Sequence, residues 1–504
     1  MRFSLRFVSQ TSACFELEND LAYYAPEEFD VILNGKPLGK KFNTNVFSLF
    51  TLAPGAQYTV STTLGGFSLE FSTVTETACL NVKDFAAIQT ALDACPPGGR
   101  VYVPEGVYTT GPLLFGSDIT LELAKGAVVR ASTNPNDFPI WPGEVPSGPD
   151  GAVLQVSTWE GNPQSCYQSV LSAFYKHDIR IIGEGVLDGD AQNSDWWVDV
   201  KNMKIFRPRM LFVNKCERVY MHGVTVRNSP SWNLHPFFSR DIGFYNIAVE
   251  APKDSPNTDG CDPESCDRVE VIGVRFSVGD DAVALKSGKV YMGAKYQTPA
   301  TNHTIRNCLM EYAHGGVVLG SEIAGGVRDL DVRQCFFDHT DRGLRIKTRR
   351  GRGENCVIDG VVFDNIKMKN VLTPLVINMY YHCDPDGKTE YVWSREAAPV
   401  DERTPRLGLF HFKNIECRDC EYAAGYFDGL PEQPIGGVII ENVSFTVNPN
   451  AGEGYPAMMT KIDLHSKRGL IFRNVKSVTL KNVSLAGHEG ETVTLENVGS
   501  FTEE

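Results

Sequence analysis

A small or amide residue followed by an apolar one recurs along the chain, at Gly223-Val224, Asn246-Ile247, Gly273-Val274, Asn307-Cys308, Gln334-Cys335 and Gly360-Val361. The steps are roughly 23, 27, 34, 27 and 26 residues, and periods of about 20–50 residues mark solenoids, propellers or arrays. The pair returns at Asn442-Val443 and Asn482-Val483. Leucine-rich repeats would show regularly spaced leucines and propeller blades would run to ~40 residues or more; neither fits. Variable steps between constant β-branched runs fit a parallel β-helix, whose loops lengthen without disturbing the ladder. Two long insertions interrupt the repeat, at about 132–175 and 379–407, both rich in Pro, Gly, aromatics and charge. Loops of that length are functional or disordered.

The first part of the chain has a different texture. Residues 1–77 read as short strands broken by turns, such as Phe29-Asp30-Val31-Ile32-Leu33 before Asn34-Gly35, and Tyr58-Thr59-Val60-Ser61 after Pro54-Gly55. That spacing predicts a small β-sandwich, and Leu52 to Val60 resembles the late-strand turn of a fibronectin type III module. From Asp84 to Cys95 apolar residues fall at helical spacing until Pro96-Pro97-Gly98-Gly99 stops them. One helix followed by many strands predicts an amphipathic cap on a solenoid. The expectation is an all-β chain: a sandwich over 1–77 and a right-handed parallel β-helix over 78–504.

Composition narrows the function. A net charge of −14 argues against nucleic acid as a partner, since phosphates call for a basic surface. No run approaches the ~18 apolar residues of a membrane span. A polyanionic substrate would need a local basic cleft, for which Lys286, Arg345, Lys347, Arg349, Arg350 and Arg352 are candidates; a solvated loop is the alternative for Arg349 to Arg352. The 13 cysteines are odd in number and several lie in apolar runs, as expected of reduced thiols in a cytoplasmic protein. A secreted protein shorn of its signal is the competing reading. Oligomeric state is not legible.

Between Asn257 and Lys347 stand four polar signatures about one coil apart: Asn257-Thr258-Asp259-Gly260-Cys261-Asp262, Gly279-Asp280-Asp281, His314-Gly315-Gly316 and Arg345-Ile346-Lys347. Neighbouring strands lie ~4.8 Å apart, so Asp259, Asp280 and Asp281 would crowd one patch. Like charges that close push one pKa up. Glycoside hydrolysis uses such a split, one carboxylic acid protonating the leaving oxygen and a carboxylate activating water. His314 could hold the proton balance of the acid. Arg345 and Lys347, two residues apart on a strand, share a face and would meet an anion, either a sugar carboxylate or those aspartates. Trp196, Trp197 and Trp232 are candidates for stacking on sugar rings.

The ordered set resembles the signatures of the polygalacturonase family, family 28 of the glycoside hydrolases, over about residues 80–500. The resemblance implies a right-handed parallel β-helix that cleaves α-1,4-linked galacturonan or oligogalacturonates with inversion, with no cofactor or metal. It implies Asp280 as general acid, Asp259 and Asp281 as the pair that holds and activates water, and His314 as their support. Asn257, Arg345, Lys347 and Tyr381 would bind substrate. Ala313-His314-Gly315 departs from the family, whose pattern begins with glycine. The extra N-terminal module and long insertions resemble bacterial exo-acting members. Alternatives are a hydrolase of rhamnogalacturonan or substituted galacturonan, a calcium-dependent lyase, and a non-catalytic carbohydrate-binding β-helix.

Overall fold

The computed structural model describes residues 1–148 and 151–504. Its coils carry three strands each, and equivalent strands stack in parallel rows. One row runs through Glu217–His222, Arg240–Tyr245, Asp267–Ile272, Ala300–Arg306 and Val327–Arg333. A second runs through Thr225–Arg227, Ala248–Glu250, Arg275–Ser277 and Leu309–Glu311. The third passes from Val283–Leu285 to Val317–Gly320, Arg342–Lys347, Thr373–Asn378 and Ala423–Asp428. Inward side chains such as Val271, Ile305, Val332, Phe363 and Phe412 form one continuous apolar column. The result is the expected right-handed parallel β-helix, capped at its first coil by the helix Ile88–Ala94, which buries Ile88, Ala91 and Leu92.

The recurring small or amide residue has a physical cause. Gly223, Asn246, Gly273, Asn307, Gln334, Asn442 and Asn482 all adopt left-handed backbone, with φ between 48° and 79°. They sit at the corner between the first and second rows. Only glycine, and to a lesser degree amide residues, takes this conformation cheaply. The register corrects one member. Arg333 pairs Asp364, so the corner after Gln334 is Asn365 and not Gly360. Gly360 belongs to a parallel row of left-handed residues earlier in the coil, with Asp241, Arg268, Asn302 and Asp329.

Near the N-terminus a three-stranded sheet (Phe3–Val8, Ala13–Leu17, Val46–Leu49) faces a four-stranded one (Tyr24–Leu33, Lys36–Thr44, Gln57–Thr62, Ser68–Ser72). Both are antiparallel and share a core of Phe3, Phe15, Phe29, Phe47, Val60 and Phe71. This sandwich docks on the corner ridge. Phe50 stacks on His222 with ring centres 5.1 Å apart. A Cβ on Gly223 or Gly273 would strike Phe50 at 2.4 Å or Val46 at 2.5 Å, so the ridge is bare where the module presses. Where it recedes, amides bind instead: Asn307 donates to Glu16 and Gln334 donates to the Asn19 carbonyl.

Candidate active site

The acidic side chains occupy turns entering the third row. Cys261 bridges Val283, which pairs Val317, which pairs Leu344, so Asp259, Asp281 and Gly315 are equivalent positions on successive coils. Backbone bonds stack these turns: Gly260 donates to the Asp281 carbonyl at 2.9 Å and Ala282 to Gly315 at 2.8 Å. Thr258 accepts from the Gly279 amide at 3.1 Å, tying the first signature to the second. At Gly315 a Cβ would lie 2.3 Å from Val318 and 3.2 Å from Asp281 Oδ1. Glycine there lets the histidine turn close over the carboxylates.

Asp259, Asp280 and Asp281 each place one oxygen within 4.8 Å of the others. Asp259 and Asp281 are buried, while Asp280 faces solvent in part. Lys347 Nζ reaches Asp281 Oδ2 at 2.7 Å and Arg345 reaches Oδ1 at 3.4 Å. His314 Nδ1 lies 3.4 Å from Asp280 Oδ1. Lys286 lies 3.8 Å from Asp259. Such spacing would suit a cation, but these four side chains already supply the counter-charge a metal ion would bring.

The three acids do not share one environment. Burial, then the charges of Asp262 and Asp280, push Asp259 well above the carboxylate range. Burial also raises Asp280, but its hydrogen bond to His314 and the charges of His314, Lys347 and Lys286 outweigh that and bring it down to about 2. The hydrogen bond to Asp280 in turn raises His314. The site thus holds one ion pair at its mouth and a proton-avid carboxylate at its floor. Paired groups whose environments diverge in this way are the arrangement acid–base chemistry uses.

Asn257 and Tyr381 border this cluster. Asn257, in left-handed backbone, accepts from Arg207 at 2.5 Å on the cleft wall. Tyr381 is buried with its ring 5.8 Å from Lys347 Nζ. The cleft, about 640 Å³, is lined by Trp159, Phe206, Lys201, Lys253, Asn257, Asp280 and His314.

Several expectations change. Trp196 and Trp232 are buried, Trp232 beneath Lys286 at 4.2 Å and Arg209 at 4.6 Å, so neither offers a face to sugar. Trp159, stacked on Phe206 at 4.8 Å, lines the cleft instead. Arg349, Arg350 and Arg352 form neither a solvated loop nor a free basic cleft. They are buried in ion pairs with Asp384, Asp386 and Glu432. A third insertion, residues 449–467, was missed. Its signal was the long step from Asn442 to Asn482. It walls the groove: Met458 contacts Arg345 through sulfur, its carbonyl accepts from Asn378, and Arg342 donates to the carbonyls of Tyr455 and Pro456.

The profile of Glycosyl hydrolases family 28 matches residues 154–392. The endo-polygalacturonase of Pectobacterium carotovorum subsp. carotovorum is 30% identical over 326 residues, covering 61% of this chain and 75% of that protein. The chain belongs to glycoside hydrolase family 28. Among solved structures of the family, the exopolygalacturonase of Yersinia enterocolitica shares the fold over 99% of this chain and 98% of its own, with a TM-score of 0.72 at 19% identity. The hyperthermoactive exopolygalacturonase of Thermotoga maritima covers 81% and 91%, with a TM-score of 0.65 at 25% identity.

Proposed function

We propose that this family 28 protein hydrolyses α-1,4-galacturonosyl links of galacturonan or its oligomers with inversion, acting from one chain end. The observation that carries the reading is the juxtaposition of three carboxylates within 4.8 Å with Lys347 and Arg345 against Asp281. A uronate carboxylate entering against Arg345 and Lys347 would draw their charge away from the acids. Asp280, held low partly by Lys347, then rises and can carry the proton it shares with His314. That proton passes to the leaving glycosidic oxygen as the C–O bond breaks. Water bridging Asp259 and Asp281 attacks the anomeric carbon from the opposite face and gives its proton to that pair. Two hydrogen bonds of ~2.8 Å span up to ~5.6 Å, so carboxylate oxygens within 4.8 Å of each other are in reach of one bridging water. Arginine's planar fork suits a carboxylate.

Exo action is supported by the wall at 449–467, where Met458 meets Arg345 and Met459 bridges Tyr381 on one side of the acids, while the Trp159 cleft lies on the other. The likeness to an exopolygalacturonase at 25% identity points the same way. A cytoplasmic location accords with thirteen unpaired thiols and with imported short oligomers as substrate. One experiment tests the reading: time-resolved product analysis and anomer NMR on oligogalacturonates, with the wild type and Asp280→Asn. The wild type should release one small product from the start, of inverted anomeric configuration, and the variant should lose nearly all turnover with its fold intact. Wild-type rates in the variant would refute the acid assignment, and a spread of intermediate oligomers would refute exo action.

A further inference from the structure

Beneath the three acids lies a charged layer that the mechanism above does not use. Lys286 enters the third row from the strand Val283–Leu285 and is 3% exposed. Its Nζ lies 3.0 Å from Glu322, 3.3 Å from Asp262 and 3.8 Å from Asp259, with the Trp232 ring centre 4.2 Å away. Glu322 is fixed by the Ser321 hydroxyl at 2.9 Å. Asp259 Oδ1 and both oxygens of Asp262 are buried without a hydrogen-bond partner among the described residues. An ionised carboxylate left that way is costly unless a cation compensates it, and Lys286 is the ion-pair partner these two have.

We propose that Lys286 is a positioning residue: from below the floor it offsets part of the burial of Asp259, so that this carboxylate can ionise in the pH range of turnover and accept the water proton, and Glu322 sets how much of the Lys286 charge reaches Asp259. This rests on the hydrolytic reading above. Lys286 cannot be a substrate ligand, because Asp259, Asp262 and Trp232 cover it. The groups around it act in known directions. Asp262, Asp280 and Asp281 are like charges to Asp259, while Glu264, hydrogen-bonded to His235 at 2.8 Å, bridges Lys286 on the next coil, and Arg209 acts with Lys286 on Asp262 and Glu264. Burial drives Asp259, Asp262 and Glu264 upward, Asp262 to about 7 and Glu264 to about 8. Lys286 opposes that rise in all three.

The test uses substitutions of opposite sign. Lys286→Met removes the compensating cation, so the acid limb of kcat against pH should move up by about one pH unit, with kcat down at least about thirtyfold at neutral pH and KM within about threefold. Glu322→Gln removes an anion of the same shape and leaves Lys286 less neutralised, so the limb should move down. A merely structural role would lower activity without moving the limb, or move it the same way in both. Either outcome overturns the proposal, as does a large rise in KM with kcat preserved. If Lys286→Met fails to fold, the downward shift in Glu322→Gln remains decisive. Infrared titration of the carboxylates in the free full-length proteins reads the same opposite shifts without turnover. A failure of the hydrolytic reading is thus distinguishable from a failure of this one.

Discussion

The N-terminal sandwich makes a test of how the solenoid is stabilised, and Glu16 is the place to make it. Its carboxylate is 4% exposed and accepts from Arg306 Nε at 2.8 Å, Arg306 Nη2 at 3.0 Å and Asn307 Nδ2 at 2.7 Å, with Arg6 alongside at 2.5 Å. Removing one side of a buried ion pair costs about 3–5 kcal/mol. Here Arg306 and Arg6 are 19% and 31% exposed and can return to water, whereas Asn307 is buried and loses an acceptor. The expected loss for Glu16→Ala is therefore about 2–4 kcal/mol. The assay is urea unfolding followed by tryptophan fluorescence. All six tryptophans lie after residue 77, so the signal reports the solenoid although the substitution lies in the sandwich. If the module braces the ridge of corners, the midpoint falls, while kcat and KM on oligogalacturonates stay within about twofold because Glu16 is remote from the acids. A midpoint unchanged to within about 0.5 kcal/mol would mean that the module is a passenger and the brace argument is wrong.

Three further outcomes follow from the site and the thiols. The Asp280–His314 pair has a definite pH window. His314 is raised, so its contribution is full below its ordinary value and is lost as pH rises through its higher folded value; Asp280 is lowered, so its contribution is present above its ordinary value and fades as pH falls toward about 2. The alkaline limb of kcat/KM should lie above the ordinary histidine range, and His314→Asn should abolish that limb and lower kcat about ten- to a hundredfold; an unchanged limb would remove His314 from the mechanism. Activity should survive exhaustive chelation with no ultraviolet-absorbing product, and a chelator-sensitive enzyme would point to a cation-dependent lyase. Titration with a thiol reagent under denaturing, non-reducing conditions should find all thirteen cysteines free in protein from its native host, and several disulfides there would overturn the cytoplasmic proposal.

Much of the fold was legible because one corner of every coil demands left-handed backbone, and glycine and asparagine record that demand directly. The same signal misled at Gly360, since a second row in the coil makes the same demand. The insertion at 449–467 was visible only as spacing, because its packing residues, among them Ala457, Met458, Met459 and Lys461, follow no strand or helix period. At the site, Asp259, Asp280, Asp281 and His314 were legible in polar turns, and Arg345 and Lys347 as charges that interrupt an apolar strand. Lys286, Asp262 and Glu322 were harder to place because their partners lie on neighbouring coils. Trp159 lies in an insertion with no period at all.

The parallel register explains why so small a set of residues can carry the chemistry. Cys261, Val283, Val317 and Leu344 stack inward, so the residues one and three positions on point away from the column, on the side of the site. They include Asp262 and Glu264 on one coil, Lys286 on the next, then Arg345 and Lys347 two coils later. Acids therefore meet cations from other coils rather than from their own: Asp262 meets Lys286 one coil on, and Asp281 meets Arg345 and Lys347 two coils on. A slip of one residue in any of these strands would turn its charges into the column and its apolar residues into the groove. The same apolar column that stabilises the coils therefore also fixes where the proton sits among the three aspartates.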